Sequence, residues 1–274
     1  MSKRFYQQNV IITGGSSGIG LAVAEEFAAL QAHLFLIGRS EDKLVAAKNQ
    51  LIQKFGPQLQ VNLFQADVGI REQIEPVIRK IGEEMGGIHT LINNAGNNHH
   101  GRFEENEIQR FEEIFQTNYF GALYPTKLAW EYLKKAENGH LGFVSSVAGY
   151  TGLIGLTIYA PTKFALNGLA ECLRMEGNDY GIRVSVLYPP DTDTPLMDKA
   201  NREGNPDTKA LSKNAKLMKP SEVARIFIRG MLDNRFEILC NGTSRLIRII
   251  KGISPGLYYR IVDYLLRKDR LKRV

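Results

Sequence analysis

The stretch Thr13-Gly14-Gly15-Ser16-Ser17-Gly18-Ile19-Gly20 stands directly after the apolar run Asn9-Val10-Ile11-Ile12 and directly before a helical pattern over 21–30, LAVAEEFAAL. Strand, glycine turn and helix is the order a nucleotide-binding unit requires. The glycines at 14, 18 and 20 follow GxxxGxG spacing. Backbone without Cβ atoms turns tightly and comes close to a pyrophosphate, whose charge then rests at a helix N-terminus. Glycine triplets also occur for the sake of a turn alone, so the surroundings have to decide.

Further apolar runs lie at 32–38 (AHLFLIG), 61–67 (VNLFQAD), 88–96 (IHTLINNAG), 140–146 (HLGFVSS) and 182–190 (IRVSVLYPP). They are apolar on both faces, as strands covered on both sides are. Helical patterns fill the intervals, for example KLVAAKNQLIQKFG (43–56) and IEPVIRKIGEEMG (74–86). This alternation predicts an α/β fold: one Rossmann-type doubly wound parallel sheet with helices on both faces, a single domain over 1–274. Residues 195–220 break the pattern, being polar and interrupted by prolines. A long insertion after a late strand is read as a substrate lid, with a solvated excursion as the alternative.

Hydrophobic residues make up 43% of the 274 and charged residues 23%, which supplies a core and excludes disorder. The two cysteines, Cys172 and Cys240, form no CxxC and fit a reducing compartment; each is expected to be buried as a small apolar side chain. No apolar run approaches the ~18 residues of a membrane span, and the start lacks a signal-peptide core, so a cytoplasmic location is expected. The net charge of +6 is unevenly placed. Residues 245–274 hold nine Lys/Arg against Asp263 and Asp269, a local +7, which leaves the rest at −1. A nucleic-acid binder would not be basic in this way, and none is expected as a partner. His99-His100 are adjacent on a loop with no ligand spacing around them, so no metal is expected.

The end of the second strand bears on the choice of cofactor. An NAD-dependent enzyme usually carries Asp or Glu there to accept from the ribose hydroxyl. This chain has Gly38-Arg39-Ser40. A guanidinium holds a 2′-phosphate in bidentate fashion, so NADPH is the expected cofactor.

Taken together, TGGSSGIG, Asp67 after the third strand, Asn93-Asn94-Ala95-Gly96 after the fourth, and Tyr159-Ala160-Pro161-Thr162-Lys163 resemble the short-chain dehydrogenase/reductase family, from about residue 6 to residue 240. The resemblance implies a catalytic set of Asn118, Ser146, Tyr159 and Lys163. Tyr159 would be the general acid. Lys163, four residues on and so on the same helix face, would bind the nicotinamide ribose and is expected to lower the tyrosine pKa. Ser146 is preferred to Ser145 because Val147-Ala148-Gly149 follows it, and Asn118 would organise a water beside the lysine. Each of these residues has an ordinary structural reading alone; the ordered set does not. Pro161 departs from the family pattern, but proline is tolerated in a first helical turn, which places the helix start near Ile158.

The resemblance also implies the cofactor contacts. Gly14, Ser16, Ser17, Gly18, Ile19 and Gly20 would surround the phosphates, with Arg39 at the 2′-position. Asp67 and Val68 would meet the adenine, and Asn94, Ala95 and Gly96 the adjoining ribose. Tyr159, Lys163, Pro189, Thr192 and Thr194 would lie toward the nicotinamide. Homodimers or homotetramers are common in the family; the small residues Ala165, Gly168 and Ala170 suit either subunit packing or packing on the sheet.

Two strings, LYPPDTDTP (187–195) and NYFGALYP (118–125), resemble 3-ketodihydrosphingosine reductases in particular. They imply reduction of the 3-keto group of a long-chain β-keto lipid. Other apolar ketones (3-ketoacyl thioesters, steroids, xenobiotic carbonyls) remain as alternatives. A non-catalytic NADPH sensor is opposed by the intact catalytic set. The tail, 256–274, sets apolar side chains at 257, 258, 261, 262, 265 and 266 with cations off that stripe. Such a helix either lies at an anionic bilayer surface or docks on protein.

Overall fold

A computed structural model of the chain describes residues 4–203 and 217–271. Seven strands, β1 (Asn9–Thr13), β2 (His33–Gly38), β3 (Val61–Gln65), β4 (Thr90–Asn93), β5 (His140–Val144), β6 (Arg183–Tyr188) and β7 (Glu237–Leu239), pair in the order β3-β2-β1-β4-β5-β6-β7. Every pairing is parallel. The order reverses between β1 and β4, and ligands of such sheets bind outside the carboxyl ends of the strands at that point.

Period-two alternation sends the strand side chains into two separate cores. On one face Val10, Ile12, Leu34, Leu36 and Ile92 meet α1 (Gly18–Ala29), α2 (Glu41–Phe55) and α8 (Pro220–Leu232). Phe27 of α1 and Phe227 of α8 are fully buried there. On the other face Ile11, Phe35, Ile37, Leu91 and Phe143 meet α3 (Arg71–Glu84), α5 (Gly121–Lys135) and α6 (Tyr159–Asn178). Burying one such side chain stabilises the fold by about 1.5–3 kcal/mol, which is why both strand faces must be apolar.

β7 is three residues at the sheet edge and falls outside the runs expected from sequence. Cys240 is buried, but Cys172 is exposed, against expectation, because it lies on the outward side of α6. On the same helix Ala170 packs into the core, whereas Gly168 faces outward with open space around it.

The 195–220 segment opens as a helix, α7 (Pro195–Glu203), and its end is pinned: Thr192 bridges Met218, Met218 N donates to Asp191 O (3.0 Å), and Asp193 N donates to Met218 O (2.9 Å). The part of the expected lid over 204–216 lies outside the described residues. The tail forms α9 (Gly242–Ile253) and α10 (Pro255–Leu271). α9 is tied to the body by Arg248–Glu237 (2.7 Å), by Tyr150 Oη donating to Ser244 O (3.0 Å) and by Lys251 Nζ donating to Tyr150 O (2.6 Å). On α10 Tyr258 is buried, while Leu257, Ile261 and Leu265 are exposed. Among the described residues no helix is long and apolar enough to cross a membrane.

Candidate active site

The glycine turn is held from two sides. Gly14 (φ +65°) and Gly18 (φ +54°) occupy left-handed conformations that disfavour side chains. The Asn94 amide donates to Thr13 O (3.0 Å) and Gly14 O (3.1 Å), and a Cβ at Gly20 would collide with Gly14 O and that same amide. Thr13, which sequence reasoning gave no role, clamps the strand ends. Its hydroxyl donates to Ile92 O (3.3 Å) and accepts from the N–H groups of Asn94 (3.0 Å) and Ala95 (3.1 Å).

The cap residue of α1, Ser17, makes no side-chain cap bond, and the first turn carries no acid. The first N–H groups of a helix lack intrahelical partners, so this end suits an anion. Thr194 packs over Gly18, where a Cβ would stand 3.2 Å from Thr194 Cγ2, and its hydroxyl accepts from Met197 N (3.2 Å). Ser16 Oγ lies beside Gly38.

At the end of β2, Arg39 is exposed and stands 3.8 Å from Asp67 Oδ2, while Ser40 caps α2 by accepting from Lys43 N. Asp67 Oδ1 accepts from Gly69 N (2.9 Å). The Val68 side chain is buried against Gly121. Pro189 O accepts from Val147 N (3.1 Å), and buried Thr192 turns its hydroxyl onto Pro190 O (2.8 Å). These residues therefore ring the carboxyl end of the sheet, from β3 to β6.

Tyr159 opens α6 with Ile158 as the cap residue, so Pro161 falls in the first turn as expected. Lys163 follows one turn later, its Nζ 5.6 Å from the Tyr159 ring centre. It is buried, donates to Val144 O (2.9 Å), and burial lowers its pKa to about 8. Ser146, at the end of β5, accepts from Ala148 N (3.1 Å) and hydrogen-bonds the Tyr159 hydroxyl. Ser145 is buried behind it and donates to Lys163 O (3.4 Å), which separates the two serines in favour of Ser146.

Asn118 is fully buried in a π-helical turn (Gln116–Phe120) between α4 (Ile108–Phe115) and α5. Such widened turns recur at functional sites. Its Oδ1 accepts from Asn97 N (2.7 Å), and its amide donates to Asn97 O and to Thr162 Oγ1, both at 3.0 Å. Thr162 in turn donates to Tyr159 O (2.7 Å). Gly96 joins the two halves of the site: a Cβ there would stand 3.3 Å from Asn118 Oδ1 and 3.7 Å from Lys163 Nζ.

One expectation is corrected. Tyr159 is more basic than a free tyrosine. Burial pushes its hydroxyl up to about 12, the Asp191 carboxylate adds to the rise, and the Ser146 hydrogen bond opposes it. Burial sets the direction of the shift. Asp191 itself, noted in sequence only as part of an unusual string, is a partly buried carboxyl held above the usual range by that burial. His99 pairs with Asn106 Oδ1 (2.8 Å) and His100 with the Asn98 amide (3.0 Å). Among the described residues no group of His, Cys, Asp and Glu could hold a metal ion.

A glycine turn at a helix N-terminus, sited where the strand order reverses and facing a hydrogen-bonded Ser–Tyr pair with a buried lysine, defines a dinucleotide-dependent oxidoreductase. The residues fit NAD or NADP, since the turn leaves no room for Cβ atoms and the open N-terminal end of α1 would hold the phosphates. The chain belongs to the short chain dehydrogenase family, whose model matches residues 8–205. It is 39% identical over 231 residues to a 3-dehydrosphinganine reductase of Danio rerio, covering 83% of this chain and 69% of the relative. It is equally 39% identical to a 3-ketodihydrosphingosine reductase of Mus musculus, covering 84% and 70%. A short-chain dehydrogenase from Sphingobium yanoikuyae, solved in complex with NADPH, superposes with a TM-score of 0.78 at 25% identity, covering 91% of this chain and 94% of that one.

Proposed function

We propose that this protein uses NADPH to reduce the 3-keto group of 3-ketodihydrosphingosine or a similar long-chain β-keto lipid. The observation that carries the reading is the Tyr159 hydroxyl, hydrogen-bonded to Ser146 and beside Lys163, in a chain this similar to sphingoid ketoreductases. NADPH, when bound, supplies a hydride to the carbonyl carbon. Tyr159 gives its proton to the carbonyl oxygen, and Ser146 hydrogen-bonds that oxygen. With a pKa near 12, Tyr159 keeps its proton at neutral pH, the state a reduction needs. Oxidation would need the phenolate, which burial disfavours. Lys163 stabilises the tyrosinate left behind, which solvent then reprotonates. Asn118 is a positioning residue, holding Asn97 and Thr162 and through them the first turn of α6.

NADPH is preferred to NADH on the strength of Arg39. No carboxylate ends β2, and the exposed pair with Asp67 at 3.8 Å contributes at most about 1 kcal/mol. That pair exchanges readily for a phosphate. The lipid substrate is collected from a membrane surface by α10, whose exposed Leu257, Ile261 and Leu265 lie beside Arg260, Arg267 and Lys268. The outward side of α6, with Phe164 and Met175 exposed, supports assembly as a homodimer or homotetramer.

The test is NADPH oxidation by the purified protein with 3-ketodihydrosphingosine in mixed micelles, with NADH in parallel. Turnover that prefers NADPH and falls at least about 100-fold in Tyr159→Phe is expected. NADPH binding without turnover of this ketone would overturn the substrate reading.

A further inference from the structure

The loop that follows β6 holds a carboxylate with no evident structural duty. Pro189 and Pro190 leave the strand with fixed φ, and Pro189 O accepts from Val147 N, which ties the loop to the turn that begins at Ser146. On its other side Asp191 O accepts from Met218 N (3.0 Å), and Thr192 and Met218 form a parallel bridge. The backbone of Asp191 is thus clamped between the Ser146 turn and the strand-like residues before α8.

The Asp191 side chain, by contrast, has no hydrogen bond or ion pair among the described residues. It is partly buried, and burial holds its carboxyl above the ordinary range. It is also close enough to the Tyr159 hydroxyl for its charge to oppose ionisation there. Among the described residues Lys163 forms no ion pair with it; the hydrogen bond that ammonium makes is to Val144 O. A poorly hydrated carboxylate on a rigid mount, beside the proton donor, calls for a cation from the ligand.

The ketone under "Proposed function" has one. In 3-ketodihydrosphingosine the carbon next to the carbonyl bears an amine, so a carbonyl oxygen at Tyr159 and Ser146 brings an ammonium to within one carbon of the reacting centre. We propose that the Asp191 carboxylate binds the substrate's 2-ammonium group and thereby selects 2-amino ketones over ketones without a charge at that position. This rests on the sphingoid reading and deepens it. The pairing works in both directions. An uncharged β-keto chain leaves Asp191 buried and unpaired, whereas the ammonium neutralises the charge that opposes ionisation of Tyr159 and so eases proton transfer to the ketone.

The experiment compares 3-ketodihydrosphingosine with the same chain lacking the amine, 1-hydroxyoctadecan-3-one, at pH 6.5 with NADPH. Wild type and Asp191→Asn are assayed side by side, with NADPH binding measured by fluorescence as the check on folding. A charge-assisted contact predicts that the wild type prefers the amino ketone by roughly 10–100-fold. In Asp191→Asn the preference falls to within about threefold of unity, chiefly through KM for the amino ketone. An equal loss on both ketones would assign Asp191 a structural role and overturn the proposal, as would an unchanged preference. If wild type reduces only the ketone without the amine, the sphingoid reading itself fails. If it reduces neither, that reading falls and the proposal with it.

Discussion

Lys163 is a buried ammonium whose one acceptor among the described residues is Val144 O at 2.9 Å, and its burial is a cost to stability. Burial lowers its pKa from 10.5 to about 8. At about 1.36 kcal/mol per pKa unit, the folded state carries a penalty of about 3 kcal/mol below pH 8, where both folded and unfolded chains hold the charge. Lys163→Met keeps much of the volume and removes the charge, at a loss of about 1 kcal/mol for the hydrogen bond to Val144 O. The variant should therefore be inactive yet more stable at pH 7 by about 2 kcal/mol, raising Tm by about 4–8 °C. Between pH 8 and 10.5 the unfolded chain binds the proton and the folded chain does not, so wild-type stability rises with pH relative to the variant. At pH 9.5 the variant's advantage should have shrunk by about 2 kcal/mol, close to zero. Thermal unfolding without cofactor at pH 7 and 9.5 measures both differences. A variant less stable at pH 7, or an advantage equal at the two pH values, would refute the reasoning. In wild type, reductive turnover should decline as pH rises through about 8.

Two other outcomes follow from the same geometry. Arg39→Ala should weaken NADPH binding about 10–100-fold and leave NADH within about threefold, by fluorescence titration, since a guanidinium–phosphate contact is worth about 1.5–3 kcal/mol. Equal changes for both cofactors would remove Arg39 from the 2′-position. The double variant Ile261→Glu with Leu265→Glu should lose co-sedimentation with anionic phosphatidylglycerol vesicles and still reduce ketone dispersed in detergent. Retained vesicle binding would reassign the α10 face to a protein partner.

The fold was legible because strands covered on both faces are apolar at every position: Val10 and Ile12 serve one core and Ile11 the other, so no alternation masks them. β7 escaped notice because Glu237–Leu239 is short and lies at the sheet edge, where a charged residue is tolerated. The start of α6 was readable through Pro161, whose missing N–H costs no intrahelical bond in a first turn. The outward phase of Cys172 on that helix needed the packing of α6 to become visible. The family motifs singled out Ser146, Tyr159 and Lys163, and the structure brings the three together. Those motifs could not reveal the acidity of Tyr159, because spacing places an ammonium nearby without saying how much water the pair loses. Asp191 was legible only as a letter in an unusual string. Its lack of a partner among the described residues is a property of the clamped loop, not of local sequence.

The packing of α1 against α8 has a consequence for how the chain matures. The glycine turn opens α1, and the side chains that seat α1, among them Val23 and Phe27, close against Val223 and Phe227 some two hundred residues later. Contacts this distant in the chain form late, because the entropy of closing so long a loop precedes any gain from burial. During synthesis the residues of the glycine turn are thus made some two hundred residues ahead of the helix that seats them, and α1 exposes apolar surface until α8 has been made. The phosphate-binding turn is a property of a chain that already reaches α8, although its residues are all neighbours in sequence.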